Sequence, residues 1–334
     1  MKTILRLAVL AFAGIATLAF AGNALATQKL SVKQSTTSLT IKVSQAQTDA
    51  QPAKISIYVP TGYSVNASAA AGTKIGSTTG TVFSRDANIP LPLSGDVVVS
   101  ATSDAPTCDP VPHLAVWNLA LSVAGQNITL PVHVDQLAGP EAALGAYKLV
   151  VCLAPDDVPV GTPGRSPNGA RLLDATFTVD NIFTVPAGQS IWKTITTPWA
   201  GGVPNAAGTV ETRAFVANGT VTLAKKVNAG KRLVKFTGKV TQAGTAVSGA
   251  RVSLLVNGKT AGFGARTNAS GSYSIVLKKT GKKTTSTFQA RTTVAERDIT
   301  STGCTSPTPG VPGGCVSATA AAFTAVSAKI RIRL

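Results

Sequence analysis

The only histidines of this 334-residue chain are His113 and His133. In the stretch LPVHVD, His133 and Asp135 alternate with Val132 and Val134, so on a strand the two polar side chains share one face. A His–Asp pair can move a proton, but acid–base work also needs a nucleophile or a water held in a cleft. No Gly-x-Ser-x-Gly elbow, His-Glu-x-x-His helix or EF-hand loop accompanies the pair. The expected role is a solvent-exposed strand pair, with no enzyme activity and no cofactor. His113, beside Pro112, reads as a loop residue. Asp156-Asp157 with Asp174 or Asp180 has the oxygen chemistry that calcium takes, without a spacing that marks a site.

Other residue types suit binding rather than reaction. Trp192 and Trp199 could stack against sugar rings, although tryptophans in such a segment more often pack a joint between domains. The loop 154–170, rich in Pro and Gly, is a second carbohydrate candidate. In TNASGSYSIVLKKTGKK, residues 267–283, Lys278, Lys279, Lys282 and Lys283 flank Thr280-Gly281, the tip of a hairpin. A charge run at a turn is usually a solvated face.

Charge distribution changes how that run is read. From Lys225 to the end, 18 Lys and Arg stand against two acids, Glu296 and Asp298, a formal +16. From Thr27 to Ala224 there are 11 basic and 12 acidic residues. A polycationic half attracts anionic polymers through its field. Lys231, Lys235, Lys239, Arg331 and Arg333 join the lysine run as candidate contacts. There is no recognition helix or basic–aromatic ladder, so specific nucleic-acid reading is not expected.

The chain opens MKTILRLAVLAFAGIATLAFAGNALA: a basic start, an apolar run and Ala24-Leu25-Ala26. That pattern predicts a signal peptide over residues 1–26 and export. No later segment is apolar enough for a membrane span. In an exported chain the four cysteines, Cys108, Cys152, Cys304 and Cys315, predict two disulfides. Three pairings are possible; 108–152 with 304–315 keeps each bridge within one proposed domain.

The elements that must carry these residues are strands. SLTIKVS, KISIYVP, GDVVVSATS, AYKLVVCL and DATFTVDN carry alternating or β-branched apolar residues, and WNLALSVAGQNITLPVHV reads as a hairpin turning at Ala124 to Asn127. In RLVKFTGKV, ARVSLLVNGK, SYSIVLK and AKIRIRL the apolar residues alternate with Lys and Arg, which places the cations on the wet side of a sheet. The expected fold is all-β, with two β-sandwich domains. An N-terminal domain covers 27–185, a bridging segment 186–224, and a basic sandwich 225–334.

Three motifs in the last part point further: Gly238-Lys239-Val240, Gly249-Ala250-x-Val252 and Thr267-Asn268-x-x-Gly271-x-Tyr273. Over about residues 230–290 the chain resembles the carboxypeptidase regulatory-like, or transthyretin-like (prealbumin-like), β-sandwich domains of bacterial secreted and surface proteins. It is also similar to collagen-adhesin B-type repeats, some of which carry a Lys–Asn isopeptide bond promoted by an acid. The resemblance implies an immunoglobulin-like sandwich serving as stalk, spacer or binding module, with no catalytic residues to carry over.

Together these readings predict a secreted, non-enzymatic structural or adhesion protein of the cell envelope. Its basic sandwich would meet anionic cell-wall polymers or acidic polysaccharide, and its neutral domain could present a surface to a protein partner. An extracellular carbohydrate-binding protein is the alternative.

Overall fold

The computed structural model describes residues 28–35, 37–100, 108, 112–184, 190–216, 219–228, 230, 232–242, 244–278, 284–300 and 317–333. The proposed signal peptide, Cys304, Cys315, Lys231, Lys279, Lys282 and Lys283 lie outside the described residues. The fold is all-β. The first strands are β1 (Lys29–Gln34), β2 (Ser38–Ser44), β3 (Pro52–Val59), β4 (Ser64–Val65), β5 (Lys74–Ser84) and β6 (Ile89–Val99). There follow β7 (Ala115–Val123), β8 (Gln126–Gln136), β9 (Tyr147–Cys152), β10 (Ala170–Asp180), β11 (Phe183–Thr184), β12 (Ser190–Ala200), β13 (Val203–Pro204) and β14 (Val210–Val216). The remainder are β15 (Gly219–Val221), β16 (Ala224–Asn228), β17 (Leu233–Gln242), β18 (Thr245–Ala246), β19 (Arg251–Val256) and β20 (Lys259–Arg266). The chain ends with β21 (Ser272–Lys278), β22 (Thr285–Val294), β23 (Arg297–Thr300), β24 (Ser317–Ala320), β25 (Phe323–Val326) and β26 (Ile330–Arg333).

One long sheet runs in the order β1-β2-β10-β5-β6-β7-β8-β9-β3-β12-β14-β24-β23. It curls until β1 lies against β14. Alternation along each strand sends one row of side chains inward. Leu39 and Ile41, Ile55 and Ile57, Trp117, Val132 and Val134, Leu149 and Trp192 thereby meet in a single core. Segment 186–224, read from sequence as a bridge, contributes β12 and β14 to this sheet. β12 pairs with β3 on one side and β14 on the other.

The basic half forms two sheets. In the first, β17 pairs with β16, β21, β15 and β18; in the second, β20-β19-β22-β25 is extended by β26, which also pairs with β22. Val234, Phe236 and Val240 of β17 pack against Val252, Leu254, Phe288 and Ala290 of the other sheet in a second core. The Phe236 and Phe288 rings lie 5.0 Å apart between centroids. The turn before β21 is built as its sequence requires. Asn268 Oδ1 accepts from the backbone N–H of Ser270 and Ser272, and Gly271 has φ +72°, a conformation glycine adopts without a Cβ penalty. Tyr273 is buried and donates its hydroxyl to the Thr222 carbonyl.

The two halves are interleaved. After β22 the chain leaves the basic sheets, forms β23 and β24 on the edge of the long sheet, and returns as β25 beside β22. β24 runs parallel to β14, with Arg213, Ala214 and Phe215 opposite Ala318, Thr319 and Ala320. Among the described residues, no helix is long and apolar enough to cross a membrane.

Candidate functional site

Registers in the basic half sort its cations by sheet. On the first sheet Val234 and Phe236 point inward, so Lys235 and Lys239 point out, together with Lys226 of β16 and Lys278 of β21. Lys226 lies directly across from Lys235. On the second sheet Val252, Ala290 and Ile332 are buried, and Arg251, Arg266, Arg291, Arg331 and Arg333 are exposed on the opposite face. Arg251 lies directly across from Arg266. One face is therefore lysine and the other arginine. Like charges at directly opposed positions destabilise a ladder. None of these nine cations forms an ion pair with another described residue.

The acids that could have balanced them are engaged elsewhere. Glu296 accepts a 2.6 Å hydrogen bond from Ser31 of β1. Asp298 accepts from Lys29 at 2.9 Å and from Thr319 at 3.0 Å. The Lys29 hydrogen bond, more than any other contact, holds the Asp298 carboxyl below the ordinary carboxylate range, and the same bond raises the pKa of Lys29. Both carboxylates of the last 110 residues thus face the long sheet.

The histidines are placed differently from the expectation. His133 and Asp135 do share a face opposite Val132 and Val134, but that face is buried: His133 is 0% and Asp135 2% exposed. Asp135 is bound by His113, whose Nδ1 lies 2.5 Å from Oδ1, and the two histidine rings are 4.4 Å apart between centroids. Lys148 of β9 completes the group, 3.9 Å from Asp135 and 3.2 Å from Glu141, which also accepts from Tyr58. The disulfide Cys108–Cys152 joins a residue between β6 and β7 to the last residue of β9. His113, Asp135, Lys148 and Glu141 thus form an interlocked ionic network.

The long loop after β9 is likewise pinned. Asp156 is buried and receives Arg171 Nε at 2.7 Å, while Arg85 donates to its backbone carbonyl at 3.0 Å. Asp157 accepts from the backbone N–H of Gly201 and Gly202. Arg165 grips Asp86 with two hydrogen bonds, the main reason that carboxyl also titrates below its ordinary range. Among the described residues no group of three His, Cys, Asp or Glu could hold a metal ion. Trp192 is fully buried, its indole N–H directed to Tyr63 at 3.2 Å, so it has no face to offer a sugar. Trp199 is half-buried and donates to the Leu153 carbonyl at 2.9 Å.

Sequence reasoning did not register the interior of the curled sheet. Between its layers lies a cavity of about 80 Å³ whose lining is apolar except for Thr78. At roughly 24 cal/mol per Å³, empty space of that size costs ~2 kcal/mol. It adjoins a wider recess of about 320 Å³ at the end of the sheet; Leu93, Leu121, Leu130, Leu153 and Leu172 line both. The polar lining of the recess is Gln51, Ser84 and Ser166, all buried, with Thr129 and the exposed Gln126 and Asn168, and it includes no charged side chain. Inward-facing leucines read from sequence as ordinary core; only their three-dimensional spacing reveals the gap.

Neither a protein-family model nor any curated protein matches this chain.

Proposed function

We propose that this chain is an exported, non-enzymatic protein of the cell envelope, held to anionic surface polymers by the two cationic faces of its basic half. One observation carries the reading: nine outward Lys and Arg, including the Lys226–Lys235 and Arg251–Arg266 rungs, have no carboxylate partner among the described residues. Opposed like charges cost stability in the free protein. An anionic polymer lying across the ladder offsets that cost and releases its own counterions. Teichoic-type polyphosphate and acidic polysaccharide both offer the repeated anions such a face fits. The long sheet, close to neutral in charge, is then free to carry a partner surface outward.

The test is retention of the full chain on purified bacterial walls across a salt series. Binding that falls steeply with salt, and is lost when anionic polymers are stripped from the walls, supports the proposal. Equal retention on stripped walls sinks it. The full chain is required because β24 pairs with β14, so a fragment beginning at β16 lacks part of its own support.

A further inference from the structure

We infer that the recess and inner cavity of the curled sheet form a binding site for a single unbranched alkyl chain bearing an uncharged polar head. The chain would lie between the sheet layers and the head would sit in the recess among Gln51, Ser166 and Asn168. A recess of about 320 Å³ reaches the lower end of the volume range of small-molecule sites, which begins at about 300 Å³. Its lining supplies the two kinds of surface such a molecule needs. Inside are the leucines shared with the inner cavity, and packed sheet layers only about 10 Å apart leave a slot suited to one chain rather than to a fused ring system.

A buried hydroxyl gives independent support. Ser166 is 6% exposed, lines the recess, and its Oγ has no hydrogen-bond partner among the described residues. Buried hydroxyls are normally satisfied, and an unsatisfied one is destabilising. A ligand head with a hydroxyl or ester satisfies Ser166. The inner cavity has too few polar groups to hold water, so an alkyl chain fills what would otherwise be void. The recess also sets the charge of the head. No Lys or Arg lines it, so an ionised carboxylate would be desolvated there without a counter-ion. A free long-chain alcohol and the tail of a monoacylglycerol share the required chemistry. The site lies in the long sheet and does not depend on the cationic faces.

The full chain, loaded with the neutral fluorescent amine N-phenylnaphthylamine, is titrated separately with dodecanol, monododecanoyl glycerol and dodecanoate at a pH where its carboxyl is ionised. Displacement by dodecanol or the glycerol ester, with dodecanoate at least about tenfold weaker, is the expected result, and the better displacer identifies the source. Leu121→Trp places a larger side chain where both spaces are lined and should weaken displacement by about tenfold or more. Should that variant fail to fold, Val123→Trp at the rim makes the same test. Absence of displacement by both neutral ligands, equal affinity for dodecanoate, or unchanged affinity in the folded variants overturns the inference.

Discussion

His113 and Asp135 lie 2.5 Å apart, each with a side chain only 3% exposed, although the first precedes β7 and the second closes β8. The same carboxylate lies 3.9 Å from Lys148. Asp135→Ala would leave a buried ammonium and an imidazole without their shared anion, at a cost of about 3 kcal/mol. The urea midpoint should fall accordingly with an unchanged m-value, whereas a midpoint within error of wild type would mean the network contributes no stability.

The Cys108–Cys152 bridge closes a sequence separation of 44 residues. Chain-entropy arguments give such a loop about 4 kcal/mol. Cys152→Ser should lower the thermal midpoint markedly, and an unchanged midpoint would show that the bridge contributes no stability.

Lys226 and Lys235 oppose one another across β16 and β17. Lys226→Gln removes the repulsion and should raise stability by a few tenths of a kcal/mol. The same substitution should weaken wall binding and flatten its salt dependence by about one unit of slope. Opposite movements of stability and binding are the signature; parallel movements would contradict the role given to this rung.

The arginine face makes a separate demand. Arg331→Lys with Arg333→Lys keeps the charge but removes the planar fork that grips a phosphate or carboxylate through two hydrogen bonds. Binding to a polyphosphate should weaken several-fold while the salt slope stays the same. An unchanged affinity would reduce this face to a diffuse field.

Asp298 and Lys29 predict a pH window. The carboxyl titrates below its ordinary 3.8 when folded, so its ionisation favours the folded state above that value, and the benefit drains away as pH falls through the lowered one. Lys29 titrates above its ordinary 10.5, so its contribution is complete below that value and lost as pH rises through the raised one. Both side chains are about half exposed, which limits the pair to a few tenths of a kcal/mol. Asp298→Asn should therefore shallow the acid limb of the stability profile slightly, and a steeper limb would reverse the assignment.

What the sequence disclosed, and what it hid, follows from hydropathy. β2, β3, β8, β17 and β19 were legible because their buried rows are Val, Ile, Leu and Phe; the hairpin turn expected over Ala124 to Asn127 is narrower in the structure, where β8 begins at Gln126 and Ala124 and Gly125 both take positive φ, the geometry of a two-residue hairpin. β12 was not legible. Its buried row is Trp192, Thr194 and Thr196, and threonine reads as polar although its branched side chain packs well in a sheet. β5 was hidden by its glycines: a Cβ at Gly76 or Gly80 would collide with the carbonyl oxygens of Thr178 or Asp174 on β10. Outward placement of Lys235, Lys239, Arg331 and Arg333 was readable from period two, but cross-strand opposition was not, since register depends on turns and partners distant in sequence. Burial of His133 was equally invisible, because the ring that lies against it belongs to His113, outside β8.

The excursion of β23 and β24 has a consequence for the order of assembly. Until residues 317–320 exist, the outer edge of β14 shows a row of unsatisfied amides and carbonyls, the kind of edge onto which a foreign strand can add. A nascent chain therefore keeps that edge open from the completion of β14 until β24 is made, and the pairing that closes it joins residues about a hundred positions apart. Such distant pairings fold slowly. Residues 317–320 thus act as a latch, and a chain cut short before them would leave both halves prone to aggregate rather than one half intact.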